Sequence, residues 1–172
     1  MKNNRLNLEK IVPPGISPKS QIQFFITGNI ISFIISLYFF VNFYNEIIDL
    51  YEFDGAKKTL IQGIKMPDFP LILDRLTLGF ALVAICMLFY VIYYYGSYKN
   101  GSMSIYLMKR LPSKFEMHKR ALTLPLITAA LSLIIGLLVS MIYLGLYVLF
   151  TPVECLKPDQ WQKFWLFFSY FI

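Results

Sequence analysis

Three stretches of this chain carry no charged residue at all: Ser20 to Asn45, Leu76 to Tyr98 and Ala121 to Val153. At about 1.5 Å of rise per residue, each is long enough as a helix to cross a hydrocarbon core about 30 Å thick. The composition agrees, because 57% apolar and 17% aromatic residues in a chain of 172 exceed what a soluble domain of that size can hide. Most of the surplus must face lipid. The 16 Lys and Arg and the 10 Asp and Glu are confined to the connections. The sequence therefore predicts an all-α integral membrane protein, one transmembrane domain over residues 1–172.

The charges in the connections set the orientation. Residues 1–19 carry four basic side chains against one acidic, and residues 99–120 carry six against one. Loops rich in Lys and Arg stay on the cytoplasmic side, so both segments are expected inside a plasma membrane. Residues 46–75 carry six acidic side chains against Lys57, Lys58, Lys65 and Arg75, and belong outside. The expected order is a cytoplasmic N-terminal segment (1–19), span one (20–45), an outer loop (46–75), span two (76–98), a cytoplasmic loop (99–120), span three (121–150) and a second outer loop (151–160). Residues 161–172 complete it. There the apolar stretch Phe164 to Ile172 is nine residues, roughly 14 Å as a helix, too short to cross alone. It reads as an interfacial helix or a partial fourth span.

Other features follow from local chemistry. The first run is too long for a signal peptide and lacks a small-residue cleavage site, so it is expected to remain as an anchor. Leu6, Leu8, Ile11 and Val12 alternate with polar residues, which permits a short amphipathic segment on an anionic leaflet. Pro13-Pro14-Gly15 interrupts it, and Ser17-Pro18 is a cap followed by a first-position proline, so the first long helix should begin near residue 18. Gly55, Gly63, Pro67 and Pro70 around the apolar run Leu60 to Met66 predict a compact outer loop with one short helix. Trp161, Trp165 and Tyr170, and the clusters Phe24-Phe25, Tyr38-Phe39-Phe40 and Phe89-Tyr90 with Tyr93-Tyr94-Tyr95, suit aromatic belts at headgroup level.

The cytoplasmic loop is more than a solvated tether. Asn100-Gly101 reads as a turn and Ser102 as an N-cap, while Met103, Tyr106, Leu107 and Arg110 recur at helical spacing to form one largely apolar face. Pro112 stops that helix, and Ser113 with Glu116 forms a capping box that starts the helix running into span three. An exposed apolar face bracketed by Lys and Arg calls for a covering partner, either protein or lipid.

This pattern resembles the permeases of type-2 ABC exporters: the turn Gly101-Ser102, the apolar Ile105-Tyr106-Leu107-Met108, the stop Leu111-Pro112 and the basic-acidic helix start Ser113 to Glu116. The resemblance covers residues 5–150 in layout and is specific over residues 96–125. In that family the connection between spans two and three docks on the ATP-binding subunit, which implies the same for Gly101, Ser102, Met103, Ile105, Tyr106, Leu107, Met108, Arg110, Leu111 and Pro112. The family's acidic residue before the glycine turn is replaced here by Tyr98-Lys99-Asn100. With three or four spans where such a permease has six, the chain resembles a shortened or divergent member.

The sequence has no Gly-x-x-x-x-Gly-Lys-Ser/Thr motif, so ATP and magnesium are expected on a partner ATPase, and the chain itself carries no cofactor, metal site or enzymatic constellation. His118, the lone histidine, sits among Lys114, Lys119 and Arg120 and is expected to be a solvated helix residue. No ionisable Asp, Glu, Lys or Arg falls inside a span, which disfavours ion-coupled carriage through this chain alone. Asn29, Ser32 and Ser36 could line a substrate path. The Ser and Thr positions of the spans, with Gly136 and Gly145, more often allow close helix packing than line such a path, Asn29 being the main exception. Pro125 is either a hinge or a tolerated membrane proline. The expected partners are an ATP-binding subunit, a second membrane chain or a second copy, and the bilayer; nothing points to nucleic acid. The rival expectation is a small membrane accessory or immunity protein that binds a peptide, toxin or membrane protein without transport.

Overall fold

The computed structural model describes residues 18–54, 57–61, 63–100 and 114–169. In chain order they form α1 (Lys19–Ser36), α2 (Tyr38–Ile48), β1 (Tyr51–Asp54), β2 (Lys57–Leu60), α3 (Phe69–Leu73), α4 (Leu78–Asn100), α5 (Lys114–Phe150) and α6 (Gln160–Ser169). Three helical stretches are long and apolar enough to cross a membrane: Lys19–Ile48, Leu78–Gly96 and Ala121–Phe150. They coincide with the uncharged runs and are consistent with a multi-pass membrane protein.

The helix boundaries follow local chemistry. The first backbone bond of α1 runs from Ile22 N–H to the Pro18 carbonyl, which places its start where Ser17-Pro18 predicts. At Leu37 the N–H is shared between the Phe33 and Ile34 carbonyls while the Ser36 hydroxyl donates to Phe33 O at 2.7 Å. This local competition loosens one turn and separates α1 from α2 without breaking the rod. Pro125 lies inside α5, which continues through it.

The spans are apolar on nearly every side, so hydrophobicity does not mark which face turns inward. Ile34, Ile92 and Leu149 are 60%, 65% and 75% exposed, as lipid-facing residues would be. The inward positions mix large apolar side chains such as Phe39, Phe80 and Met87 with small or hydrogen-bonding ones such as Ala84, Ala129, Ser36 and Ser132, the latter letting helices approach where lipid is as oily as the side chains. Three consecutive aromatics cannot all face lipid on a helix that turns about 100° per residue. Tyr38 and Tyr93 are exposed, but Phe39 and Tyr94 are buried in the core and are not belt residues.

Two compact units divide the chain, residues 1–31 with 79–135 and residues 32–78 with 136–172. In the first, Val83, Ala84, Met87 and Ala129 form a buried cluster against which Phe25 and Tyr90 pack. Gly28 of α1 approaches α4 so closely that a Cβ there would lie 2.9 Å from Val83 Cγ2. Gly28→Leu is expected to cost about 1–3 kcal/mol by overpacking this contact, read as a lower unfolding midpoint in detergent. Gly145→Leu, where a Cβ meets nothing within 4 Å, should leave that midpoint unchanged.

The second unit is built on rings. Phe39 stacks on Tyr143 with centroids 4.7 Å apart, and on Phe43 at 5.7 Å. Phe69 of α3 packs edge-on to Phe39 and Tyr147 and tilted against Phe164 of α6. The connection before span two holds one short helix, but at Phe69–Leu73 and not within the apolar run Leu60 to Met66. Leu60 closes β2, and Gly63 further along that run is a turn residue with a positive φ of 94°. Strands β1 and β2 pair antiparallel with Tyr51 opposite Leu60 and Glu52 opposite Thr59, the one non-helical element among the described residues. Alternation of aromatic and acidic residues in Tyr51-Glu52-Phe53-Asp54 is the strand signal that an all-helical reading passes over.

Candidate functional site

Several polar side chains inside the apolar helices reach across to another helix. Gln21, in the first turn of α1, is 1% exposed. Its Nε2 donates to Thr128 Oγ1 of α5 at 3.1 Å and lies 3.9 Å from Met87 Sδ of α4. Its Oε1 accepts from the Tyr94 hydroxyl of α4. One side chain thereby joins all three spans. The Thr128 hydroxyl donates in turn to the Leu124 and Pro125 carbonyls at 2.9 and 3.0 Å, which holds the turn around the proline together.

A second tie lies two turns further along α1. Asn29 Nδ2 donates to the Phe25 carbonyl at 2.8 Å, which leaves Oδ1 to accept from the Ser132 hydroxyl of α5 at 3.0 Å. The same hydroxyl is 3.0 Å from the Phe80 carbonyl of α4. In the second unit the Ser36 hydroxyl meets the Tyr143 hydroxyl at 2.9 Å. Because the Ser36 proton is committed to Phe33 O, the tyrosine donates. Ser32 is buried at 4% exposure. Of the candidate path residues, Asn29 and Ser36 thus make bonds between helices, and Ser32 is buried on the same helix.

The docking candidates Gly101 to Pro112 lie outside the described residues, as do Ser113 and Tyr170. What flanks them is described. Helix α5 begins at Lys114 and runs without interruption to Phe150, so the restart expected after Pro112 leads straight into span three. His118, exposed on its second turn, is hydrogen-bonded through Nδ1 to the Tyr95 hydroxyl of α4 at 2.6 Å, its ring 5.5 Å from the tyrosine ring. The lone histidine is a clasp between two helices.

Sequence reasoning did not single out Gln21 or Asp68. Gln21 was detectable as a side-chain amide within an uncharged run. Asp68 precedes α3 but does not cap it; its carboxylate accepts from Lys163 Nζ at 2.8 Å and Gln160 Nε2 at 3.2 Å, with Lys157 Nζ at 3.8 Å. Gln160 Oε1 meanwhile accepts from Phe69 N–H at 3.0 Å, satisfying a donor that a helix start leaves free. Together these bonds latch α6 onto α3.

The Lys163 hydrogen bond holds the Asp68 carboxyl below its ordinary value of 3.8, with Gln160 and the Lys157 charge acting the same way against the cost of burial. A carboxyl depressed in the folded state stabilises fully above its unfolded value and loses that contribution as pH falls through the folded one. Tryptophan emission should therefore stay constant from neutral pH down to about 4, then shift as α6 loosens. Asp68→Asn should remove that acid-dependent step.

No protein-family model, curated protein or solved structure matches this chain.

Proposed function

We propose that the chain is a membrane-spanning subunit of an ABC-type exporter, which couples ATP hydrolysis by a separate subunit to substrate movement. It lies in the plasma membrane with its N-terminus and residues 99–120 in the cytoplasm, the arrangement favoured by six basic residues against one acidic in that loop. The ATPase docks beneath residues 101–112, and a second membrane chain or a second copy completes the translocation path. ATP and magnesium stay on the ATPase.

The observation that carries this reading is the continuity of α5. A helix that starts at Lys114, directly after the docking segment, leads from that segment into span three with no intervening loop and can act as a lever on it. The Tyr95 to His118 bond attaches α4 to the same lever. A displacement of the docking segment is then delivered to spans two and three together, whereas a flexible tether would absorb it.

The test is association. Affinity-purified chain should bring an ATP-binding subunit with it from its native membrane, and Met103→Asp, Tyr106→Asp and Leu107→Asp together should abolish that recovery by burying three charges in an apolar contact. The triple variant should still reach the membrane in normal amount. Recovery that survives the triple change, or a chain that brings no ATP-binding subunit, would assign the protein to an accessory role instead.

A further inference from the structure

We propose that α3 and α6 together form a platform embedded in the headgroup region of the bilayer, on the face where α2 and α5 end, with lipid covering their outward apolar residues. This goes beyond the transport reading and does not rest on it.

The stretches Lys19–Ile48 and Ala121–Phe150 are each 30 residues, about 45 Å as helix, which matches a bilayer with its headgroup zones and not the hydrocarbon core alone. Their last two turns therefore lie among headgroups. Phe69 of α3 packs against those turns at Tyr147, three residues before the end of α5, and also reaches Phe39, which lies deeper, nine residues before the end of α2. The Tyr147 hydroxyl donates to the Pro67 carbonyl at 2.7 Å, fixing the start of α3 at the same level. Phe164, fully buried against Phe69, brings α6 alongside. The pair flanks the ends of the spans and does not stand above them.

What these elements turn outward suits that depth. Leu71 of α3 is 70% exposed, Val153 87%, and Trp161, Trp165 and Leu166 of α6 are 54%, 42% and 58% exposed. Leu149 and Phe150 at the end of α5 are likewise exposed, at 75% and 62%. Indole rings favour the headgroup zone, and a lysine in the first turn of α6, bound to Asp68, is tolerated there but not at the bilayer centre. The alternatives of an interfacial helix and a partial fourth span thus resolve toward the first.

Both tryptophans of the chain lie on α6, so intrinsic emission reports on that helix alone. The full chain, reconstituted in phosphatidylcholine vesicles, should be quenched about twofold more by lipids brominated near the headgroup than by lipids brominated near the chain end. A variant with Trp161→Phe, Trp165→Phe and Leu71→Trp should give the same order for α3. Strongest quenching by chain-end bromine would make α6 a crossing helix, and quenching by aqueous acrylamide with no effect of either lipid would place the platform in water. Either result overturns the proposal.

Discussion

Replacing Gln21 by leucine is expected to lower the unfolding free energy in mixed micelles by about 2–4 kcal/mol, far more than its two principal inter-span bonds seen as isolated contacts would suggest. Hydrogen bonds between membrane helices contribute on average about 0.6 kcal/mol and up to about 1.7. The larger part comes from what is left behind: Tyr94, 1% exposed, loses the acceptor of its hydroxyl, and a buried unsatisfied donor costs about 1–3 kcal/mol. Thr128 keeps the Leu124 and Pro125 carbonyls as acceptors, so its loss is smaller. Gln23→Leu is the matched control, the same substitution two residues on at an exposed position, and should change stability little. A double-mutant cycle with Tyr94→Phe should show strong coupling, because removing both partners leaves no orphan.

Phe69→Ala should have an effect at least as large, about 3–5 kcal/mol, because the ring is fully buried and its removal leaves a cavity against several others. Phe39, Tyr147 and Phe164 all lie within 6 Å of it, centroid to centroid. The consequence reaches α6, whose Phe164 stacks on Trp161 at 5.9 Å and contacts Trp165 at 5.5 Å. Tryptophan emission should therefore shift in Phe69→Ala and stay unchanged in Gln21→Leu, since the latter lies in the other compact unit. Phe40→Ala, at a ring 41% exposed, should cost markedly less than Phe69→Ala.

The spans were legible because length without charge is the one property a bilayer reads directly, and the start of α1 was legible because Ser17-Pro18 is a local signal. Which face turns inward was not. Ile31 and Ser32 are both compatible with a helix in lipid, and only the position of Ser132, 103 residues further on from Asn29, reveals that this side of α1 is a contact surface. Tyr94 and Phe39 look like belt residues because they lie in aromatic runs; the helix turn, not the composition, places them inside. The Asp68 latch depends on partners 92 and 95 residues away, beyond the reach of any local pattern.

Coupling through α5 requires that the loop joining α4 to α5 face the ATP-bearing compartment while the hairpin faces the opposite one. Single cysteines at Ser104 and at exposed Thr59, placed in a chain with Cys86 and Cys155 changed to alanine, report this through a membrane-impermeant maleimide. Thr59→Cys should react in intact cells, and Ser104→Cys only after the membrane is opened. Labelling of Ser104→Cys in intact cells, or of both positions from the same side, would contradict three crossings with the basic loop inside.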